Sequence, residues 1–390
     1  MRIILPIRFR DDAWLGGQNY FLSLVSAIGK SGALSRHQVY VLTNRPDLLG
    51  DRKSDGPEIV HASWLEPRSS LPNMVNGAMD SYANINPRMY RFAKSVRADL
   101  ITHSTPRLFS PCPTLFWMPD FQHRRYPQYF SAAEIRQRDT LVAATSRAGH
   151  ILLSSHSAAR DFRNYYPHLA HVTAHALQFT PLLDGNKGNA IDDAKIRAKY
   201  ELPEIFFFLP NQFWQHKNHF VVLEALRQLP DSCHVVCTGS LADYRFREHI
   251  SKIRDFIDRY SLQDKFRILG VVNRGEMLSL MRMSACVINP SYFEGWSTTV
   301  EEAKHMGKRL VLSDIDVHRE QNPKDAVFFP PDDSGQLATA MQKVLAEYSH
   351  EAEVLRRTEA GQNYLRSIVQ FGKNYFDIAE KVVASGKSRP

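Results

Sequence analysis

The chain has 390 residues, of which 43% are hydrophobic and 23% charged, and its formal net charge is +8. This length and composition are typical of a globular protein with two domains, and no apolar run approaches the ~18 residues of a membrane span. The apolar stretch at residues 3–7 is too short for a signal peptide, so we expect a cytosolic protein. The four cysteines have no disulfide or zinc spacing.

The positive charge is concentrated in the first half of the chain. Residues 1–185 carry 21 Lys and Arg against 14 Asp and Glu, whereas the remainder carries 28 against 27. This asymmetry favours an anionic partner, either a phospholipid surface or a phosphorylated acceptor. We expect no nucleic acid, because the sequence has no recognisable DNA-binding motif.

Continuous apolar runs alternate with segments of helical periodicity along both halves. Strands are expected at residues 2–7, 38–43, 100–103, 114–118, 150–154, 171–177, 206–209, 234–238, 266–269, 285–288, 310–313 and 326–329. Helices are expected at residues 20–28, 87–96, 218–228, 246–260, 274–281, 298–306, 334–347 and 365–383. This pattern predicts parallel sheets that are covered by helices on both faces.

The alternation therefore predicts two Rossmann-like α/β domains in series. We expect the first domain at residues 1–184 and the second at residues 190–360. A C-terminal helical segment, residues 361–390, would close the fold. The small, polar residues 184–189 form the best candidate for a linker.

A glycine pair follows the first predicted strand, although the dinucleotide fingerprint and the Walker A motif are absent from the sequence. Gly16 and Gly17 are expected to precede a helix. Because neither carries a side chain, a diphosphate could approach this backbone closely. An ordinary flexible loop explains a bare glycine pair equally well.

A stronger signal follows the strand predicted at residues 285–288, at the end where open α/β sheets bind ligands. Thr298 and Glu301 have capping-box spacing, so a helix is expected to begin near Thr298. Glu302 would then lie in the first helical turn, while Glu294 stays in the preceding loop.

Ser297, Thr298 and Thr299 would direct their amides out of the positive end of this helix, where a phosphate binds well. Two carboxylates that flank an anion site suit a ligand with hydroxyls on both sides of a diphosphate, as in a sugar nucleotide. The alternative is that both acids are solvated charges near a helix start.

Residues 210–218 form a second segment at the carboxyl end of a strand. Lys217 within it can neutralise a diphosphate as a mobile point charge. The neighbouring Trp214, His216 and Asn218 are explained as well by packing or capping.

Together these segments resemble a known family. Residues 290–303, with Gly307, are similar to the Glu-x7-Glu signature of family 4 retaining glycosyltransferases, and residues 312–320 resemble the segment that follows it there. The residue pairs 16–17, 154–155 and 269–270 also fall where that family has comparable features. The resemblance extends from about residue 14 to residue 345 and is strongest in the second half.

That resemblance implies the GT-B fold, in which two Rossmann-like domains face each other across a cleft. The second domain would hold the donor, the first would hold the acceptor, and no metal or other cofactor would be needed. Glu294, beside Gly295, would contact the donor hexose, Glu302 the ribose and Lys217 the diphosphate.

One departure from the family concerns the number of cationic side chains that would contact the diphosphate. The family usually has an arginine five residues before the lysine, whereas this chain has Gln212. Arg274, which closes the loop that begins at Gly270, could compensate. An Asp-Ile-Asp sequence at residues 314–316 resembles the metal signature of the other glycosyltransferase fold, GT-A, but it comes too late in the chain to fit that fold well.

His123 follows the strand predicted at residues 114–118 and matches the family histidine that reaches the sugar site. Asp120 would either fix the tautomer of this ring or cap the turn. The alternative for a lone histidine is a purely structural one.

The sequence thus predicts a metal-independent retaining glycosyltransferase. It would move a hexose, by our guess mannose or a 6-deoxyhexose, from a nucleoside-diphosphate sugar to a glycan or lipid-linked glycan acceptor in surface polysaccharide biosynthesis. Peripheral contact with an anionic membrane is expected from the basic first half. A sugar-nucleotide 2-epimerase on the same fold and a catalytically silent sugar-nucleotide-binding scaffold are the alternatives.

Overall fold

The computed structural model describes residues 1–9, 15–49, 56–66, 73–74, 85–107, 109–183 and 192–387. The chain forms two compact units, one of residues Met1–Leu182 with Leu365–Pro390 and one of residues Leu183–Tyr364. The expected linker at residues 184–189, and with it the predicted boundaries at 184 and 190, lies outside the described residues.

The described part of the first unit is built on a seven-stranded parallel sheet. Its strands are β1 (Arg2–Ile7), β2 (Gln38–Thr43), β3 (Glu58–His61), β4 (Leu100–Thr102), β5 (Thr114–Met118), β6 (His150–Leu153) and β7 (Thr173–Ala176). They lie in the order β3-β2-β1-β4-β5-β6-β7. The order therefore reverses between β1 and β4, as in a doubly wound sheet.

Some helices of the first unit begin at local capping signals. The helices are α1 (Leu15–Lys30), α2 (Pro87–Ser95), α3 (Gln122–Arg125), α4 (Ala132–Ala143), α5 (Thr145–Ala148) and α6 (His156–Tyr165). Asn86 caps α2, and Ser131 with Glu134 forms a capping box at α4. These side chains satisfy amides that a helix start leaves without partners.

The second unit repeats the plan with a six-stranded parallel sheet among its described residues. The strands are β8 (Phe207–Leu209), β9 (Val235–Cys237), β10 (Phe266–Ile268), β11 (Cys286–Asn289), β12 (Leu310–Ser313) and β13 (Val327–Phe329), in the order β10-β9-β8-β11-β12-β13. The helices are α7 (Asp193–Lys199), α8 (His219–Leu226), α9 (His249–Arg259), α10 (Arg274–Met283), α11 (Thr298–His305), α12 (Asp316–Gln321) and α13 (Ser334–Ala346). The last helix, α14 (His350–Lys387), belongs to the second unit up to Tyr364 and to the first unit from Leu365 onward.

Both faces of the second sheet are covered, as the continuous apolar runs predict. Phe207 and Leu209 pack into the core on one face, whereas Phe206 and Phe208 pack into a separate core on the other. Burying such a side chain contributes about 1.5–3 kcal/mol. The expected class, two Rossmann-like α/β domains with parallel sheets, is confirmed.

Strand β3 and the short helices were not anticipated. Residues 58–61 contain only two apolar side chains and lie at the sheet edge, half-buried, so their sequence shows no continuous apolar run. Helix α14 contains the predicted helix at residues 365–383 but begins earlier, at His350. Among the described residues, no helix combines the length and the apolar character needed to cross a membrane.

Helix α14 approaches α1 closely at Gly372. A Cβ atom on Gly372 would lie 2.1 Å from the carbonyl oxygen of Ala27, whereas a Cβ on Gly361, in the same helix, would meet nothing within 4 Å. We expect Gly372→Ala to lower the free energy of unfolding by about 2 kcal/mol or more because the backbones must separate. Gly361→Ala should leave it unchanged or raise it by about 1 kcal/mol. Urea unfolding measures both, and equal stabilities would contradict this packing.

Candidate functional site

The candidate site lies in the second unit, at the carboxyl ends of the adjacent strands β8 and β11. The loop after β8 and the loop after β11 are joined directly, because Asn211 Nδ2 donates to Asn289 Oδ1 at 3.1 Å and the Tyr292 amide donates to the His216 carbonyl at 2.9 Å. The strand order reverses at this point, and ligands of open α/β sheets bind at such positions.

Lys217 and Glu294 form a largely buried ion pair across these two loops. Their Nζ and Oε1 atoms lie 2.6 Å apart, and the side chains are 16% and 10% exposed. Ser291 Oγ lies 2.8 Å from the same carboxylate oxygen and 2.7 Å from Asn289 Oδ1, so its one proton can serve either acceptor. Asn289 Nδ2 lies 3.4 Å from the carboxylate oxygen. These three contacts of Glu294 all involve its Oε1 atom, and none of them involves its other oxygen, Oε2.

The charge state of Glu294 is set by this pairing. Burial alone would raise the pKa of the carboxyl group, but Lys217 outweighs it, with further contributions from His318 and His216, and lowers the pKa to about 2. Glu294 is therefore an anion at neutral pH, and its buried charge depends on the nearby cation.

Helix α11 begins at Thr298, as expected, but its cap lies one residue earlier than the capping-box spacing implied. Its N-cap is Ser297, not Thr298, because Asn289 Nδ2 holds the Ser297 hydroxyl at 2.8 Å, where it accepts from the Val300 amide at 3.4 Å. Glu301 does not complete a capping box but pairs with Lys304 at 3.0 Å.

Glu302 consequently lies just beyond the first turn of α11, not within it as expected. Its side chain is only 3% exposed, and Arg274 Nη1 is 2.5 Å from its Oε1 atom. Arg274 is the ion-pair partner of this buried oxygen, and no other described residue donates a hydrogen bond to it. Burial raises the pKa of Glu302, and Arg274 offsets only part of that effect.

The backbone near these residues offers donors at one place and open space at another. Ser297 caps the amide of Val300, which leaves the amides of Thr298 and Thr299 without acceptors inside the helix. Gly270 lies in the loop that follows β10 and has a left-handed backbone conformation. A Cβ atom at this position would meet nothing within 4 Å. Gly295 and the half-buried Gln212 lie in the two loops that carry the first ion pair.

Several residues that support the site were not singled out from the sequence. Ser313 Oγ donates to the Ser291 carbonyl at 2.6 Å, and His318 Nδ1 lies 2.9 Å from the Ser313 carbonyl. His318, Ser313, Ser291 and Asn289 are all fully buried. They fix the loop that carries Glu294, and the only sequence signal was a cluster of small polar residues at strand ends.

Other sequence candidates in the second unit have structural contacts. Asn218 Nδ2 donates to the carbonyls of Pro290 and Pro331 at 3.2 and 2.8 Å, so it joins two loops. Asp314 accepts two hydrogen bonds of 2.7 Å from Arg319. Within the described ranges, no three His, Cys, Asp or Glu side chains are grouped so that they could hold a metal ion.

The remaining candidates belong to the first unit. Gly16 and Gly17 lie within the first turn of α1 rather than before it, and a Cβ on Gly16 would meet nothing within 4 Å. His123 lies in α3, fully buried. Asp120 caps this turn by accepting from the Gln122 amide at 3.0 Å, which is the second of its two expected roles.

The second unit matches a described protein family. Residues 192–361 match the family model of the glycosyl transferases group 1. This segment contains Lys217, Arg274, Glu294 and Glu302, and therefore both ion pairs. No protein among curated sequences matches the chain significantly.

The whole chain shares its fold with solved glycosyltransferase structures. A glycosyltransferase from Rickettsia africae ESF-5 has a TM-score of 0.66 at 13% identity, with 98% of each chain covered. HepE from Anabaena, in complex with UDP and glucose, has a TM-score of 0.68 at 14% identity, covering 98% of this chain and 100% of that one. Sucrose-phosphate synthase from Thermosynechococcus elongatus has a TM-score of 0.65 at 18% identity, covering 98% and 99%. The GT-B fold class is thereby confirmed.

The buried ion pair leads to a stability prediction. Lys217→Met leaves the Glu294 carboxylate buried without its cation, so we expect it to lower the free energy of unfolding by about 3 kcal/mol at pH 7. The double variant Lys217→Met/Glu294→Gln should recover most of that loss because it removes the charge as well. Denaturant unfolding of the three proteins measures this coupling.

The pH dependence of the free energy of unfolding of the same variants gives a second test of the ion pair. Because the pKa of Glu294 is about 2 in the folded chain and near 4.5 when unfolded, its stabilising contribution is present above pH 4.5 and is lost as the pH falls toward 2. An unfolding free energy of Lys217→Met equal to that of the wild type at pH 7 would contradict the ion pair.

Proposed function

We propose that this chain is a glycosyltransferase whose second unit binds a nucleoside-diphosphate sugar. In this proposal the hexose passes to a glycan or lipid-linked glycan with retention of anomeric configuration, and no metal takes part. Mannose or a 6-deoxyhexose as the sugar, and surface polysaccharide biosynthesis as the process, remain predictions. The match of residues 192–361 to the glycosyl transferases group 1 supports the general activity.

The main support for the proposal is that each cation of the candidate site forms an ion pair with a carboxylate of the same site. Lys217 is paired with Glu294, and Arg274 is paired with Glu302. Each pair joins a cation, suited to a phosphate, to a buried acid, suited to a hydroxyl. The amides of Thr298 and Thr299 lie at the start of the helix that carries Glu302.

This pairing restricts the chemistry of a suitable ligand. An anion alone would draw the two cations away and leave two buried carboxylates without compensation, which is costly. A neutral sugar alone would gain nothing from the cations or the helix amides. A diphosphate flanked by two hydroxyl-bearing sugars satisfies all these groups together, and a nucleoside-diphosphate hexose has that composition.

The residues then have distinct tasks. Glu294 accepts a hydrogen bond from a hexose hydroxyl, and Glu302 accepts one from the ribose. Lys217, Arg274 and the helix amides hold the diphosphate, and Arg274 supplies the charge that Gln212 does not. As the glycosidic bond breaks, these donors stabilise the charge that develops on the leaving phosphate, which takes the proton of the attacking acceptor on the same face.

The first unit is proposed to receive the acceptor. Its excess of basic residues suits a phosphorylated acceptor or the anionic membrane surface that presents one. The solved structure of HepE contains UDP and glucose, which supports a nucleotide-sugar donor for this fold. Gly16 in α1 leaves space for a ligand to approach its backbone.

We expect Glu294→Gln to lower kcat/KM for hexose transfer by 100-fold or more. Losing a charged contact in a buried site costs roughly 2–4 kcal/mol at the transition state. Glu301→Gln is the matched control, because Glu301 is also a largely buried glutamate, seven residues further along the chain, but pairs with Lys304 instead of Lys217. Radiolabelled donor and chromatographic analysis of the product measure the transfer.

The same assay distinguishes the proposed transferase from an epimerase and from a metal-dependent enzyme. Near-normal transfer by Glu294→Gln would remove this donor site. A product formed from the donor without any acceptor would indicate an epimerase. We expect the activity to persist in EDTA, because cationic side chains of the protein replace a metal ion. A requirement for manganese would instead indicate Asp314 and Asp316 as metal ligands.

A further inference from the structure

A second group of charged and polar residues surrounds His123 in the first unit. The ring lies between Phe121 and Phe130 and is fully buried. Its Nε2 atom is 3.0 Å from the hydroxyl of Tyr166 and 3.4 Å from Oδ1 of Asp139. Two side chains remote in sequence therefore converge on one nitrogen of this histidine.

Asp139 acts in this group only as a hydrogen-bond acceptor. Arg124 donates two hydrogen bonds to its carboxylate, from Nε to Oδ1 at 2.9 Å and from Nη2 to Oδ2 at 2.6 Å. The Tyr166 hydroxyl donates to Oδ1 at 2.6 Å. Since a tyrosine hydroxyl has one proton, that proton is committed to Asp139.

The remaining proton must therefore belong to the histidine. With its proton on Asp139, the Tyr166 oxygen can only accept from His123 Nε2, and the nearby Asp139 oxygen can only accept as well. We propose that Tyr166 and Asp139 are positioning residues that hold His123 as the tautomer protonated at Nε2. The other ring nitrogen, Nδ1, is then a hydrogen-bond acceptor and cannot act as an acid.

The environment keeps the ring neutral. Burial lowers the pKa of His123, and the nearby Arg138 lowers it further, while Asp120 and Asp139 oppose the shift without cancelling it. A neutral imidazole protonated at one nitrogen has one donor and one acceptor. The donor is used within the protein, and the acceptor is not.

The unused acceptor points to a ligand. Nδ1 is buried and has no hydrogen-bond partner within the described ranges, an arrangement that costs about 1–3 kcal/mol. A hydroxyl group that donates to Nδ1 would offset this cost. That it is a substrate sugar hydroxyl rests on the proposed function, whereas the tautomer does not.

Nitrogen NMR of the full chain tests the tautomer directly. The protein is labelled with ¹⁵N-histidine, and the His123 ring signals are assigned by their loss in His123→Gln. We expect the wild type at pH 7.5 to show a protonated Nε2 and an unprotonated Nδ1. A protonated Nδ1, or a doubly protonated ring, would overturn the proposal.

Two variants test the role of Tyr166 in positioning. Tyr166→Phe removes the nearer of the two acceptors at Nε2 and leaves only Asp139 Oδ1 at 3.4 Å, so the His123 signals should become a mixture of both tautomers. Tyr165→Phe removes a hydroxyl at the adjacent, partly exposed position and should leave them unchanged. A single Nε2-protonated signal in Tyr166→Phe would show that Tyr166 does not set the tautomer.

The transfer assay separates this inference from the proposed function. If the chain transfers hexose, Tyr166→Phe should lower kcat about tenfold, and Tyr165→Phe should not change it. If no transfer is found with any donor, the proposed function fails while the NMR result still decides the tautomer. An unchanged kcat together with mixed tautomers would exclude His123 Nδ1 from the reaction and overturn its proposed role.

Discussion

The ion pair between Lys217 and Glu294 is the interaction on which the candidate site depends. Taking either charge out of water alone would cost several kcal/mol, so each is tolerated in this place only because the other is present. The pair joins loops from β8 and β11, which are adjacent in space but about 77 positions apart in the chain. Asn289 strengthens the junction because its amide contacts both loops and the hydroxyl that caps α11.

A second ion pair, between Arg274 and Glu302, also joins a cation to a buried acid, and Glu302 lies in helix α11. The two acids nevertheless differ: the pKa of Glu294 falls to about 2, whereas that of Glu302 rises. Glu294 has hydrogen-bond donors from the protein, and Arg274 is the ion-pair partner of Glu302 Oε1. The two pairs together bring two cations and two acids to the candidate site.

The sequence predicted most of the sheet because parallel strands are continuous apolar runs, and several strand limits, such as those of β1, β2 and β12, agree with the structure. It missed β3, an edge strand with little burial. It also placed the cap of α11 on Thr298, because spacing alone does not reveal that Asn289 holds Ser297. The pairing of the site acids with Lys217 and Arg274, and the convergence of Tyr166 and Asp139 on His123, arise from tertiary contacts that no local pattern encodes.

The central claim is that the two ion pairs of the second unit, Lys217–Glu294 and Arg274–Glu302, select a nucleoside-diphosphate sugar as the ligand. A thermal-unfolding panel of sugar nucleotides, matching nucleoside monophosphates and free hexoses tests it most directly. At 100 times its dissociation constant, a ligand of the folded chain stabilises it by about 2.7 kcal/mol. We expect at least one sugar nucleotide to raise the Tm, while its nucleoside monophosphate and its hexose have little effect. Equal shifts with the monophosphate, or no shift with any sugar nucleotide, would contradict the account.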